Sequence, residues 1–92
     1  MSIRRIIKIE PKPTQRDRLI EEFDRLIPIF RKEPGCQDYE LFQSLDNPNL
    51  LLVLDYWDDW DAYGGHLKLE QEMGLDFTEF LSGPMHVEKY ES

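Results

Sequence analysis

Residues 50–57 read Leu50-Leu51-Leu52-Val53-Leu54-Asp55-Tyr56-Trp57. Five consecutive aliphatic residues favour a strand, and the lack of alternation between apolar and polar positions implies that both of its faces are covered. Helices can cover one face. A single small sheet with helices on one side has nothing left for the other, so a second copy of the chain is the natural cover. Upstream, Asp46-Asn47-Pro48-Asn49 has the composition of a turn, so residues 36–45 should form the other arm of an antiparallel hairpin, with Tyr39, Leu41 and Leu45 on one face.

Further towards the N-terminus, residues 3–10 (IRRIIKIE) are rich in β-branched Ile and stop at Pro11-Lys12-Pro13, which reads as a first strand with Ile3, Arg5, Ile7 and Ile9 on one side. Thr14 is in place to cap a helix, with Asp17 in its first turn. Leu19, Ile20, Phe23, Leu26, Ile27 and Phe30 then recur at helical spacing. Pro28 lacks the N–H that would bond to Asp24, which predicts a kink or an early end near residue 27. Gly35 closes this element, and Cys36 reads as a small hydrophobe at a strand start.

After the hairpin, Asp58 or Asp59 caps a short helix through Trp60, Ala62 and Tyr63, which Gly64-Gly65 is expected to interrupt. A further helical pattern carries Leu69, Met73, Phe77, Phe80 and Leu81, weakened by Gly74 and closed by Gly83-Pro84. Residues 85–90 (MHVEKY) make a last short strand. The order is β-α-β-β-α-β, the ferredoxin-like arrangement of the α+β class.

The chain has 92 residues and a formal net charge of −8, which suits one domain spanning residues 1–92. Acidity speaks against nucleic acid and against anionic membranes, because phosphate binding rests on excess Lys and Arg. The charge is uneven: residues 1–32 hold nine basic and five acidic side chains, and residues 33–92 hold two and fourteen. Opposite balances of this kind predict that the two segments lie against each other or against a second copy. Cys36 is the lone cysteine, so no internal disulfide and no CxxC site is available. No run approaches the length of a membrane span, and no signal sequence is visible, so the expected location is cytoplasmic.

His66 is the candidate catalytic residue, since an imidazole titrates near neutrality and can serve as a general base. Trp57, Trp60, Tyr63 and Tyr39 are the candidate substrate-binding residues, able to wall a pocket for a planar ring and to orient it through hydroxyl and indole N–H groups. Packing of a helix turn and of a core accounts for the same residues without a ligand. Arg5, a charge in phase with three isoleucines, is expected to pair with Asp55 or to bind an anion. Asp55, Asp58, Asp59 and Asp61 lack the spacing and glycine of a calcium loop, so no metal site is read there. There is no GxGxxG, P-loop, HExxH or GxSxG, and no cofactor is implied.

The run Arg31-Lys32-Glu33-Pro34-Gly35-Cys36, then Tyr39-Glu40-Leu41, Asn47-Pro48, Asp55-Tyr56-Trp57-Asp58 and His66, resembles the antibiotic biosynthesis monooxygenase family over nearly the whole chain. Leu26-Ile27-Pro28 is similar to its quinol monooxygenase branch. The resemblance implies a dimeric α+β barrel, in which two four-stranded sheets face each other. By the same resemblance, Trp57 matches the tryptophan ending the third strand, and His66 matches the histidine that opens the segment after the short helix. A second histidine common in the family is Gln71 here. The haem-degrading branch has a tryptophan at position 66 and a haem-ligating histidine where Asp76 stands nearby, so haem degradation is not expected.

The leading expectation is a cofactor-independent monooxygenase that uses dioxygen on a quinol-like or polycyclic phenolic small molecule, working as a homodimer. A non-catalytic dimer that binds small aromatics, and an isomerase of a small oxygenated metabolite, are the alternatives.

Overall fold

Four strands and two main helices follow one another in the computed structural model, which describes residues 1–92: β1 (Ile3–Ile9), α1 (Arg16–Arg31), β2 (Cys36–Gln43), β3 (Leu51–Trp57), α2 (Trp60–Glu72) and β4 (His86–Glu91). Short 3-10 turns occupy Pro13–Gln15 and Thr78–Phe80. The strands form one antiparallel sheet in the order β2-β3-β1-β4, which is the ferredoxin-like α+β topology.

Alternation along each strand decides what the sheet buries. Ile3, Arg5, Ile7 and Ile9 of β1 pair with Trp57, Asp55, Val53 and Leu51 of β3, and all eight are buried on the helix side. Leu19, Phe23, Leu26, Ile27 and Phe30 of α1 complete this core, and Phe23 stacks on Phe77 at 5.2 Å. Within one chain, then, β3 does alternate. Leu52, Leu54 and Tyr56 point the other way and are only half-buried, flanked by half-buried Ile6 and exposed Phe42.

Several local expectations are corrected. Helix α1 starts at Arg16 rather than after Thr14, which lies in the 3-10 turn, and no side chain caps it. Pro28 neither ends the helix early nor stops it at residue 27, since α1 continues to Arg31. Its fixed φ is already helical, and the cost of about 3 kcal/mol is outweighed by burying Leu26, Ile27 and Phe30 at roughly 1.5–3 kcal/mol each. Leu45 lies beyond the end of β2 and is fully exposed. Gly64-Gly65 does not interrupt α2. Each glycine costs about 1 kcal/mol relative to Ala, but Tyr63 and His66 on either side are buried and hold the helix in register. The helix instead stops after Glu72, where Gly74 turns with φ +66°, so Phe77, Phe80 and Leu81 follow in a separate turn.

Candidate functional site

Register brings the first charged pair together. Arg5 on β1 lies directly opposite Asp55 on β3, and its Nε donates to Asp55 Oδ2 at 3.0 Å with both side chains buried. Trp57 Nε1 donates to the other carboxylate oxygen at 2.5 Å. Burial pushes the Asp55 carboxyl up from its ordinary value, and the Arg5 charge and the indole N–H pull part of the way back. For Arg5, burial opposes the charge, but Asp55 foremost, with Tyr39, Tyr63 and Glu70, outweighs it and holds the guanidinium protonated. The expected Arg5–Asp55 pairing is therefore present.

His66 sits above this pair because α2 runs unbroken through the glycines. Asp59 starts the helix by accepting from the Ala62 N–H at 2.9 Å. The turn after α1 packs against this end: Asp58 N–H donates to Gly35 O at 2.9 Å, and Gly35 has φ +79°. A Cβ added to Gly35 would lie 2.5 Å from Ala62 Cβ, so only glycine allows this approach. The close contact places Glu33 beside α2, where its Oε2 is 2.6 Å from His66 Nδ1. One helical turn beyond His66, Glu70 Oε1 contacts Nε2, and Arg5 Nη2 lies 3.2 Å from the same nitrogen and 3.7 Å from Glu70 Oε1.

The imidazole is wholly enclosed. Its ring centroid is 4.7 Å from those of Trp57 and Phe30 and 5.5 Å from that of Tyr39. Burial pushes the Tyr39 hydroxyl up, Asp55 and Glu70 add to that, and Arg5 offsets part of it. Burial would also raise Glu70, yet the hydrogen bond and charge of His66 and the charge of Arg5 win and hold its carboxyl below the usual range. Acidic and basic groups thus alternate in one buried network: Glu33, His66, Glu70, Arg5 and Asp55.

Of the residues singled out from the sequence, His66, Trp57 and Tyr39 lie together, and Tyr63 is buried alongside, with its ring 5.3 Å from the Arg5 guanidinium. Trp60 lies at the edge of this group, its ring 6.0 Å from that of Tyr63 but 53% exposed, with Nε1 donating to Glu91 Oε2 at 2.6 Å. The rings pack on one another and on His66 rather than around an open space. The two largest depressions, about 510 Å³ between α1 and β2 and about 410 Å³ beside Gly35 and Asp59, have none of these residues in their walls. Glu33 and Glu70 were not singled out. The i,i+4 spacing of His66 and Glu70 on a helix was a readable signal, whereas Glu33 arrives only through the tertiary contact at Gly35. No three His, Cys, Asp or Glu side chains are grouped to hold a metal ion.

Comparison with known proteins follows the same lines. The chain is 29% identical over 85 residues to a Bacillus subtilis (strain 168) protein named "Putative monooxygenase YcnE", covering 90% of each. A conserved protein from Methanosarcina mazei Go1 superimposes with a TM-score of 0.88 at 28% identity, over 98% of this chain and 91% of that one. Protein SO0527 from Shewanella oneidensis does so at 0.84 and 27%, over 97% and 88%. The profile of the antibiotic biosynthesis monooxygenase family matches residues 2–71, which include β1, the hairpin, the Arg5–Asp55 pair, His66 and Glu70, and the chain belongs to that family.

Proposed function

We propose that the protein is a cofactor-independent monooxygenase acting on a quinol-like or polycyclic phenolic small molecule. The observation that carries this reading is the buried imidazole of His66, held between two carboxylates and walled by aromatic rings. Family membership and the name of the Bacillus relative support the oxygenase class.

Such a substrate supplies its own electrons. Loss of the hydroxyl proton to a base leaves an electron-rich phenolate that reduces dioxygen directly. One oxygen atom enters the ring, giving a quinone, and the other leaves as water, with every electron drawn from the ring. The protein has to bind the ring, accept the proton and exclude bulk water. In this reading His66 is the centre of the buried network that draws the proton away, Trp57, Tyr63 and Tyr39 are the aromatic residues packed around it, and Trp60 is the ring at the exposed edge. The chain works as a homodimer, with the half-buried face of Leu52, Leu54 and Ile6 against its copy.

The test is oxygen uptake over a panel of quinols and phenols, comparing wild type with His66→Ala and with the bulkier His66→Gln. Both variants should lose roughly a hundredfold or more of the rate, the range expected when a general base or the group that holds it in place is lost. Equal rates would remove His66 from the mechanism. Binding without oxygen uptake would make the protein a binding module, and turnover under strict anaerobiosis would make it an isomerase.

A further inference from the structure

A wholly enclosed histidine cannot touch a substrate, so the network needs a member that reaches the surface. Side-chain exposure is 0% for His66 and Asp55, 7% for Arg5, 10% for Glu33 and 28% for Glu70. Glu70 also has a free oxygen: its contacts with His66 and Arg5 both run through Oε1, which leaves Oε2 uncommitted. From Glu70, the stripe of α2 at positions 67, 63 and 60 leads to β4 through the Trp60–Glu91 hydrogen bond. Across from it, Val87 and Lys89 pair with Ile7 and Arg5 in register, so they share the helix-side face of the sheet. Five of the exposed large apolar residues belong to these two elements or the residue before β4, and all but Tyr90, which pairs with Arg4 on the opposite face, lie on this side: Trp60, Leu67, Met85 and Val87. Lys89 makes no ion pair.

We infer that Glu70 is the catalytic residue that takes the hydroxyl proton of a planar phenol bound between α2 and β4, and that His66 is a positioning residue acting through it. This rests on the monooxygenase reading above. The substrate O–H bond breaks with its electron pair staying on oxygen, and the proton joins Glu70 Oε2. Oε1 stays fixed by His66 Nε2, whose ring Glu33 holds from the far side. The Arg5 guanidinium, 3.7 Å from Glu70 Oε1, offsets the negative charge that appears on the phenolate oxygen. Lys89, exposed beside Arg5 on the same face, favours a substrate that bears a second acidic group at that end.

Two measurements test this separately from the oxygenase reading. The first is steady-state turnover of 1,4-naphthohydroquinone. Glu70→Gln should lower kcat by about a hundredfold or more with KM little changed, and Glu33→Gln should cost about tenfold or less. Glu70→Asp, which keeps the carboxylate, should recover part of the rate. The second needs no turnover. 4-Nitrophenol, saturating the protein below the phenol's own pKa, should show a red-shifted absorption band as its O–H is drawn to a carboxylate, and the shift should vanish in Glu70→Gln but persist in Glu33→Gln.

If the shift behaves so but no quinol is oxidised, the monooxygenase reading fails and Glu70 stands as the proton acceptor. Turnover retained within about threefold in a folded Glu70→Gln overturns the role of Glu70 while leaving the oxygenase intact. Absence of the shift in wild type, or its survival in Glu70→Gln, overturns it as well.

Discussion

Glu70 and Asp55 show how two carboxylates around one arginine come to titrate in opposite directions. Asp55 is deeply buried between Arg5 and Trp57, and burial dominates, raising its carboxyl above the ordinary 3.8. Glu70 keeps part of its hydration, so His66 and Arg5 outweigh burial and lower it below the ordinary 4.5. A lowered folded value means that Glu70 adds stability above pH 4.5, and that this is lost as pH falls through the lower folded value. Asp55 has the opposite sign: its contribution is present below 3.8 and is lost as pH rises through the raised value. The charged groups facing Glu70 are His66, Arg5 and, beyond them, Asp55 and Glu33. Thermal unfolding of wild type should therefore show a falling Tm on acidification just below pH 4.5, and Glu70→Gln should show a shallower fall there. Parallel curves would mean that the Glu70–His66 contact contributes nothing to the folded state.

At the scale of elements, α2 departs furthest from its own propensity. Its interior holds Gly64 and Gly65, both exposed, and a Cβ at either position would meet nothing within 4 Å. Gly64→Ala and Gly65→Ala should each stabilise the protein by up to about 1 kcal/mol, read as a shift of the urea midpoint without a change in slope. Unchanged or lowered midpoints would mean that the glycines serve a conformation other than this helix. Helix α1 makes the same point with Pro28. In both helices the local breaker sits on the exposed face while the buried stripe continues past it. Propensity is a preference of roughly 1–3 kcal/mol per residue, and a few buried side chains exceed it. Strand boundaries were easier to read, because turn residues and β-branched runs act locally.

For the whole molecule, the sheet has one face in the core and one that remains half-buried. In the proposed homodimer, Leu54 at the centre of that face packs against the partner sheet. Leu54→Asp should then convert a dimer to a monomer in sedimentation at micromolar concentration, with the helix-side core intact by circular dichroism. A wild type that is already monomeric at that concentration would contradict the dimer. The element order, the hairpin, the inward face of β1 and the Arg5–Asp55 pairing all followed from residue patterns, since strand alternation and turn chemistry are set by near neighbours. The position of His66 as a candidate was also legible, from its type and company. Its enclosure, the Glu33 side of its clamp, and the exposure of Trp60 beside the hydrogen bond to Glu91 depended on contacts between residues far apart in sequence. Glu33 is 33 residues from His66 and meets it only because Gly35 lets the turn after α1 touch α2. Sequence by itself determined the element order, the hairpin and the inward face of β1, and it named Asp55 as one of two kinds of partner for Arg5. Tertiary structure decided which carboxylates hold the histidine and which of them faces solvent, because close packing of two helices on a sheet sets distances and burial that no local pattern encodes.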